Sequence, residues 1–510
     1  MHQSSIIYLW NRLMARRERR GPPEIIAANR VDIQDAVSLG KIIRSPFQRQ
    51  RGGEPEPDEL WLTTEERRKH LYLLGGTGMG KTSLLMNLIR DDVAHHRGVF
   101  LMDARGELVD RTLMQLAHYH SLQELQDRLL VIDLRRTDYS VPFNPLAPQG
   151  TDAYTRVKFV IEMLKREWAL GVQTEQLLRN TLHALSEHHT LNEVEVFLTN
   201  PTFRSQVLAT VTDLSVKRFF SRFDALDSQS HWVEPVLNKI SPWLSRPVLR
   251  NCLSQKDSIS FAKILDARSD AIILVALGAE TLFSDATMIG SLITSAIAGA
   301  AMRATRRDKE GNEITLFLDE FSNFAEESEQ FIDILSESRK FGLSLCLSHQ
   351  SSIQLDPKLR SLIRNIVGSS IYFGVGGGEA DTLASEIASD EPKAAIRNLL
   401  MNQSVGEAVV IRRGKPFSRI KTHHITDPAI AEAKVEALRL SALKRYGRSF
   451  ASIEAELADR EARYNGPAVS NTGSASPTAG ADPAPMEIRD YDPTLAKPKR
   501  SNARRKKDAS

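Results

Sequence analysis

The sequence predicts an α/β fold on a mainly parallel sheet, with an inserted all-α domain and a disordered basic C-terminal tail. Three observations carry this expectation. Apolar runs of strand length alternate with amphipathic stretches from Leu71 to Asp133, and again from Ala271 to Phe373. That is the pattern of right-handed strand–helix–strand crossovers. Residues 151–265, between the two parts, show helical spacing and little strand signal. The first strand, Leu71 to Leu74, also runs straight into a glycine-rich turn that opens a helix.

Composition sets the outer bounds. With 510 residues the chain exceeds one ordinary domain, and a net charge of +3 gives no global electrostatic case for nucleic acid. Basic charge is concentrated at the two termini instead. Cys252 and Cys346 stand far apart and in no metal-ligating spacing. This argues against a disulfide framework and a zinc site, and favours a reducing, cytoplasmic setting. No apolar run reaches the roughly 18–20 residues that cross a bilayer. The stretch Ile289 to Met302 is short and carries Ser291, Thr294 and Ser295, so it reads as a core helix.

In chain order, residues 1–23 form a basic amphipathic N-terminal segment: Ile6 to Trp10, Leu13 and Met14 precede Arg16-Arg17-Glu18-Arg19-Arg20. It lacks a signal-peptide cleavage pattern. It fits an interfacial helix, a partner-binding helix or an ordinary docked terminal helix. Residues 24–70 read as a small β-rich lead-in. Residues 71–150 and 266–427 supply the α/β core, split by the all-α insertion of 151–265. In the insertion Val157, Val160, Ile161 and Leu164 recur at helical spacing, and Trp168, Trp232 and Trp243 read as packing residues. Ala408 to Arg412 and Pro416 to Thr422 look like an edge hairpin, and residues 428–464 like one charged helix. Residues 465–510 are rich in Gly, Ser, Pro and Ala and end in Lys497-Pro498-Lys499-Arg500 and Arg504 to Lys507. Such a tail buries too little apolar surface to fold. It suits electrostatic binding to nucleic acid or acidic lipid, or simply keeps the chain soluble.

The chemistry begins at Gly75-Gly76-Thr77-Gly78-Met79-Gly80-Lys81-Thr82-Ser83. Glycines let the backbone curl its N–H groups toward phosphate oxygens, and the helix dipole adds positive potential. Lys81 is placed to reach the β- and γ-phosphates of ATP, and the Thr82 hydroxyl to ligate Mg²⁺. A second motif supplies carboxylates: the apolar run ending in Asp319-Glu320. Asp319 suits Mg²⁺, and Glu320 suits polarisation of an attacking water. Gln350, after the polar strand end Ser348-His349, suits sensing of the γ-phosphate. Asp103, Arg105 and Asp133 also end strands, where ligands bind. Asp103 and Asp133 serve equally well as caps of the next helices. Arg339, Arg360 and Arg364 are candidates for an arginine completing a neighbouring subunit's site, or for cations favoured by a helix end.

These motifs together resemble the RecA-like HerA/FtsK group of P-loop ATPases, and most of all its type IV coupling proteins of the VirD4, TraG and TraD kind. The resemblance spans roughly residues 38–425. It rests on HLYLLGGTGMGKTS (70–83), GVFLMDARGEL (98–108), FNPL (143–146), LFLDEFSNF (316–324), ESRKFGLSLCLSHQS (337–351) and RNIVGSSIYFGVG (364–376). It implies a RecA-like nucleotide-binding core, a homo-hexameric ring around DNA, Arg339 as the trans-acting finger and Gln350 as the motif III glutamine. It also implies relaxosome or type IV secretion channel proteins as partners. Membrane contact would be indirect or through the N-terminal segment, because the usual transmembrane helices are missing here. Asp103-Ala104-Arg105-Gly106 replaces the usual Asp-x-Lys-Gly and keeps the charge. The missing anchor leaves soluble relatives open: a HerA/FtsK-like translocase working with a nuclease or other effector. Ser38–Lys41 would then be the remnant of a HerA-like β-barrel. A nucleotide-switched scaffold that recruits protein substrates is the alternative from another class.

Overall fold

The apolar runs become the strands of one sheet. They are β1 (Ala36–Ile42), β2 (Glu59–Thr63), β3 (Leu71–Leu74), β4 (Gly98–Asp103), β5 (Leu129–Asp133), β7 (Ile272–Ala276), β8 (Ile314–Asp319), β9 (Leu343–His349), β10 (Ser369–Phe373), β11 (Glu407–Arg412) and β12 (Ser418–Lys421). Two short strands, β6 (Tyr139–Ser140) and β13 (Arg448–Ser449), pair separately. The computed structural model describes residues 36–43, 58–148, 152–168, 170–186, 188–267, 270–282, 284–304, 314–323, 335–338, 343–387 and 392–465. The N-terminal segment 1–23, Arg339 and the tail beyond Asn465 lie outside these residues.

The sheet has 11 strands in the order β2-β1-β12-β11-β10-β3-β9-β8-β4-β7-β5. From β10 to β5 every neighbouring pair is parallel. β3, β4, β5 and β7 are buried at every position, as parallel strands covered on both faces must be. Side chains alternate between the faces. Leu71 and Leu73 join a cluster with Leu84, Leu85 and Leu88 of the Lys81–Ala94 helix. Tyr72 and Leu74 join the other cluster, with Val157, Val160, Phe197 and Phe220 from the helices between β6 and β7. The insertion therefore lies on the sheet face opposite the helix that follows the glycine-rich turn. Its aromatic residues pack as expected: Trp243 is buried, and its ring lies 5.8 Å from that of Trp168.

Three expectations need correction. The β11–β12 hairpin is not an edge, because β12 pairs with β1 and β1 with β2. β1, the segment expected as a barrel remnant, thus belongs to the main sheet. The expected single C-terminal helix is two, Glu432–Tyr446 and Phe450–Asn465. The break falls at Gly447, where an added Cβ would sit 2.8 Å from the Leu443 carbonyl oxygen, and β13 turns aside to pair with β6.

The second of these helices, Phe450–Asn465, is tied to the insertion. Arg460 Nη1 donates to the buried Glu193 Oε1 at 2.9 Å, and the Tyr464 hydroxyl donates to the same oxygen at 3.0 Å. Glu193 Oε2 accepts from the Thr190 amide at 2.8 Å and its hydroxyl at 2.6 Å. A buried carboxylate needs this complete a set of donors.

Candidate nucleoside-triphosphate site

The glycine-rich turn leaves the carboxyl end of β3, between β10 and β9. Its backbone is tied to both neighbours. The Gly75 amide donates to the His349 carbonyl at 3.3 Å, and the Gly76 amide to the Gly374 carbonyl at 2.8 Å. From the far side, the Gly406 amide donates to the Met79 carbonyl at 2.8 Å. Two glycines are obligatory for conformation: Gly78 has φ +75° and Gly80 φ +116°, in the left-handed region. Gly75 is obligatory for space, because a Cβ there would stand 2.5 Å from the Phe373 Cβ.

Lys81 opens the helix and is buried. Its ammonium donates to the Gly75 carbonyl at 2.5 Å and the Gly76 carbonyl at 3.2 Å. Burial pulls its pKa down, while Glu320 and Asp319 push it back up. Lysine and carboxylates therefore share one electrostatic site, although well over two hundred residues separate them in sequence. Thr82 and Ser83 follow on the first helical turn, half-buried.

Strand order brings the carboxylates in. β9 lies between β3 and β8, and the β4–β8 register sets Asp319 beside Asp103. Burial, then Asp103 and Glu320, push the Asp319 carboxyl up to about 6, against the pull of Ser348 and Lys81. A carboxylate crowded by carboxylates gains from a cation. With the Thr82 hydroxyl, the donors present are hard oxygens that suit Mg²⁺. No cluster of three or more His, Cys, Asp or Glu side chains suited to a metal occurs among the described residues. Glu320 stands at φ +51°, a conformation that non-glycine residues rarely adopt. Strain of this kind gathers at functional sites.

Gln350 meets the turn directly: the Thr77 hydroxyl donates to Gln350 Oε1 at 3.2 Å. Asp103 is a cap. Its carboxylate accepts from the amides of Arg105 at 3.0 Å, Leu108 at 2.7 Å and Val109 at 3.1 Å. Asp133 is held in an ion network, accepting from Arg135 Nη2 at 2.7 Å and Arg439 Nη1 at 2.8 Å. Arg360 donates to the carbonyls of Ile353 and Leu355, and Arg364 pairs with Glu386 at 2.6 Å. Ser338, which precedes Arg339 in the chain, contacts His70 at the amino end of β3.

No protein-family model matches this chain, and no curated protein does. Solved structures do. The plasmid coupling protein TrwB with the non-hydrolysable GTP analogue GDPNP matches with a TM-score of 0.56 at 16% identity, covering 77% of this chain and 96% of that one. TrwB with ADP and Mg²⁺ matches at 0.54 and 16%, covering 77% and 95%. The chain has the fold of TrwB. VirB4 of Thermoanaerobacter pseudethanolicus matches at 0.51 and 13%, covering 78% and 97%. At such identities the likeness is one of architecture, a RecA-like P-loop core of the TrwB kind.

Two site residues escaped the sequence reading. His349 reads as part of a polar strand end with no role of its own, yet it is fully buried beside Glu320. Gly406, from a turn more than three hundred residues on, backs the loop through Met79 and has no sequence signature.

Proposed function

We propose that this chain is an ATP-hydrolysing DNA translocase of the coupling-protein type, working as a hexameric ring that feeds DNA toward a type IV secretion channel. The observation that carries the reading is Gln350 against Thr77, with Asp319 and Glu320 close enough to shift the Lys81 ammonium. A turn that only binds nucleotide needs neither.

In this reading the backbone amides of Gly75 to Ser83 bind the phosphates. Lys81 exchanges its loop carbonyls for the β- and γ-phosphate oxygens. Thr82 and Asp319 hold Mg²⁺, which supplies charge neutralisation of the phosphates when bound. Glu320 takes the proton of the attacking water, and Gln350 reports whether the γ-phosphate is present. Arg339 is the finger for a neighbouring subunit. The residue before it in the chain, Ser338, has its hydroxyl 3.4 Å from His70 Nε2. His70 precedes β3, whose far end carries the phosphate loop about 13 Å away at the usual rise per residue.

No helix among the described residues is long and apolar enough to cross a membrane. We assign any contact with an inner membrane to channel partners or to residues 1–23.

ATP turnover with and without DNA, together with mass photometry, tests the proposal. DNA-stimulated hydrolysis and a ring are expected. Lys81→Ala should abolish turnover, and Glu320→Gln should abolish it while retaining ATP. Unstimulated or absent hydrolysis with no ring refutes the reading.

A further inference from the structure

One residue near the site remains unexplained by the roles above. His349 is fully buried, and apart from a backbone contact with Ser351 its ring nitrogens find no hydrogen-bond partner among the described residues. A buried imidazole ordinarily uses both nitrogens, one as donor and one as acceptor. Its surroundings are specific. Nδ1 lies 4.0 Å from Glu320 Oε2, and the Phe321 ring flanks the imidazole at 5.2 Å between centroids. Its own carbonyl accepts from the Gly75 amide, at the first residue of the phosphate loop. The next residue, Gln350, touches Thr77. Glu320 meanwhile holds a left-handed backbone that its sequence neighbours do not share.

We propose that His349 is a positioning residue for Glu320, its ring N–H donating to the carboxylate and aiming it at the attacking water. The inference rests on the ATPase reading of the same site. An approach of about 1 Å converts the observed separation into a hydrogen bond of ordinary length. The partner must orient the base without quenching it. An imidazolium would form an ion pair and make Glu320 a weaker base, whereas a neutral ring donates and leaves the carboxylate basic. Burial pushes the His349 ring down to about 4, against the pull of the Ser351 backbone and Glu379, so the ring is neutral at physiological pH. The His349-Gln350 pair then links the γ-phosphate sensor to the base through one peptide unit, so that loss of the phosphate is felt at both.

The test compares wild type, His349→Phe and His349→Asn in the full chain. Phe keeps the ring volume and removes the donor; Asn keeps a donor near the Nδ1 position. The readouts are kcat and KM for ATP, fluorescent-nucleotide affinity, trapping of ADP with aluminium fluoride, and the thermal midpoint. His349→Phe is expected to lower kcat by about 10- to 100-fold, the worth of one hydrogen bond to a charged group. KM and nucleotide affinity should stay within about twofold, and aluminium fluoride trapping should be lost. His349→Asn should restore most of kcat. A Phe variant with wild-type kcat overturns the inference alone. Equal loss in both variants with a fallen thermal midpoint also overturns it, because that is the signature of core packing. A wild-type protein lacking hydrolysis that depends on Lys81 overturns the proposed function, and this inference with it.

Discussion

Asp319 offers the sharpest physical test, because its environment makes it a cost to folding until something positive arrives. The folded carboxyl is pushed up to about 6, against 3.8 for an ordinary aspartate side chain. The folded value is raised, so the stability contributed by the acid form is full below about pH 4 and is lost as pH rises through about 6. A difference of about two units at 1.36 kcal/mol each amounts to about 3 kcal/mol at neutral pH. Asp319→Asn stays neutral throughout. It should therefore match wild type near pH 4 and exceed it in thermal midpoint by roughly 3 °C near pH 8, given the unfolding entropy of a unit this large. Scanning fluorimetry of both proteins between about pH 4 and 8, without nucleotide, measures the difference. Adding Mg²⁺ and ATP should reverse the order, because only the aspartate gains from the cation. A difference in midpoint that is flat across pH, or a variant less stable at pH 8 than at pH 4 relative to wild type, would refute the carboxylate-crowding argument.

Two further outcomes follow from the geometry. Gly80→Ala forces a side chain onto φ +116°, with its Cβ 3.0 Å from the Gly406 Cα. Strain of about 1–3 kcal/mol should weaken nucleotide binding by about tenfold or more in a fluorescent-ATP titration while the fold is retained. Arg460→Met strips the buried Glu193 of its cation, while Thr190 and Tyr464 keep donating. Denaturant melts should show a loss of about 3–5 kcal/mol, and limited proteolysis should cut the Phe450–Asn465 helix first.

Much of this protein is determined locally and can be read from the chain alone. Glycines at Gly78 and Gly80 are demanded by backbone sterics, and apolar runs such as Leu129 to Ile132 by burial on two faces. Each is a property of a few neighbouring residues, so the glycine-rich turn, the Asp319-Glu320 strand end and the α/β architecture are legible in sequence. Asp103 is a case on the border. Its position at a strand end is legible, but whether it caps a helix or faces ligand depends on where the Leu108 and Val109 amides point. The tertiary structure alone decided how distant strands lie side by side. It set β9 between β3 and β8, and so brought Gln350 to Thr77 and His349 to Glu320. It also drew β1 and β2 onto the hairpin expected as an edge, and broke the last helix at Gly447 to pair β13 with β6. Strand order and docking depend on the summed burial of whole faces, and no short stretch of sequence encodes that sum.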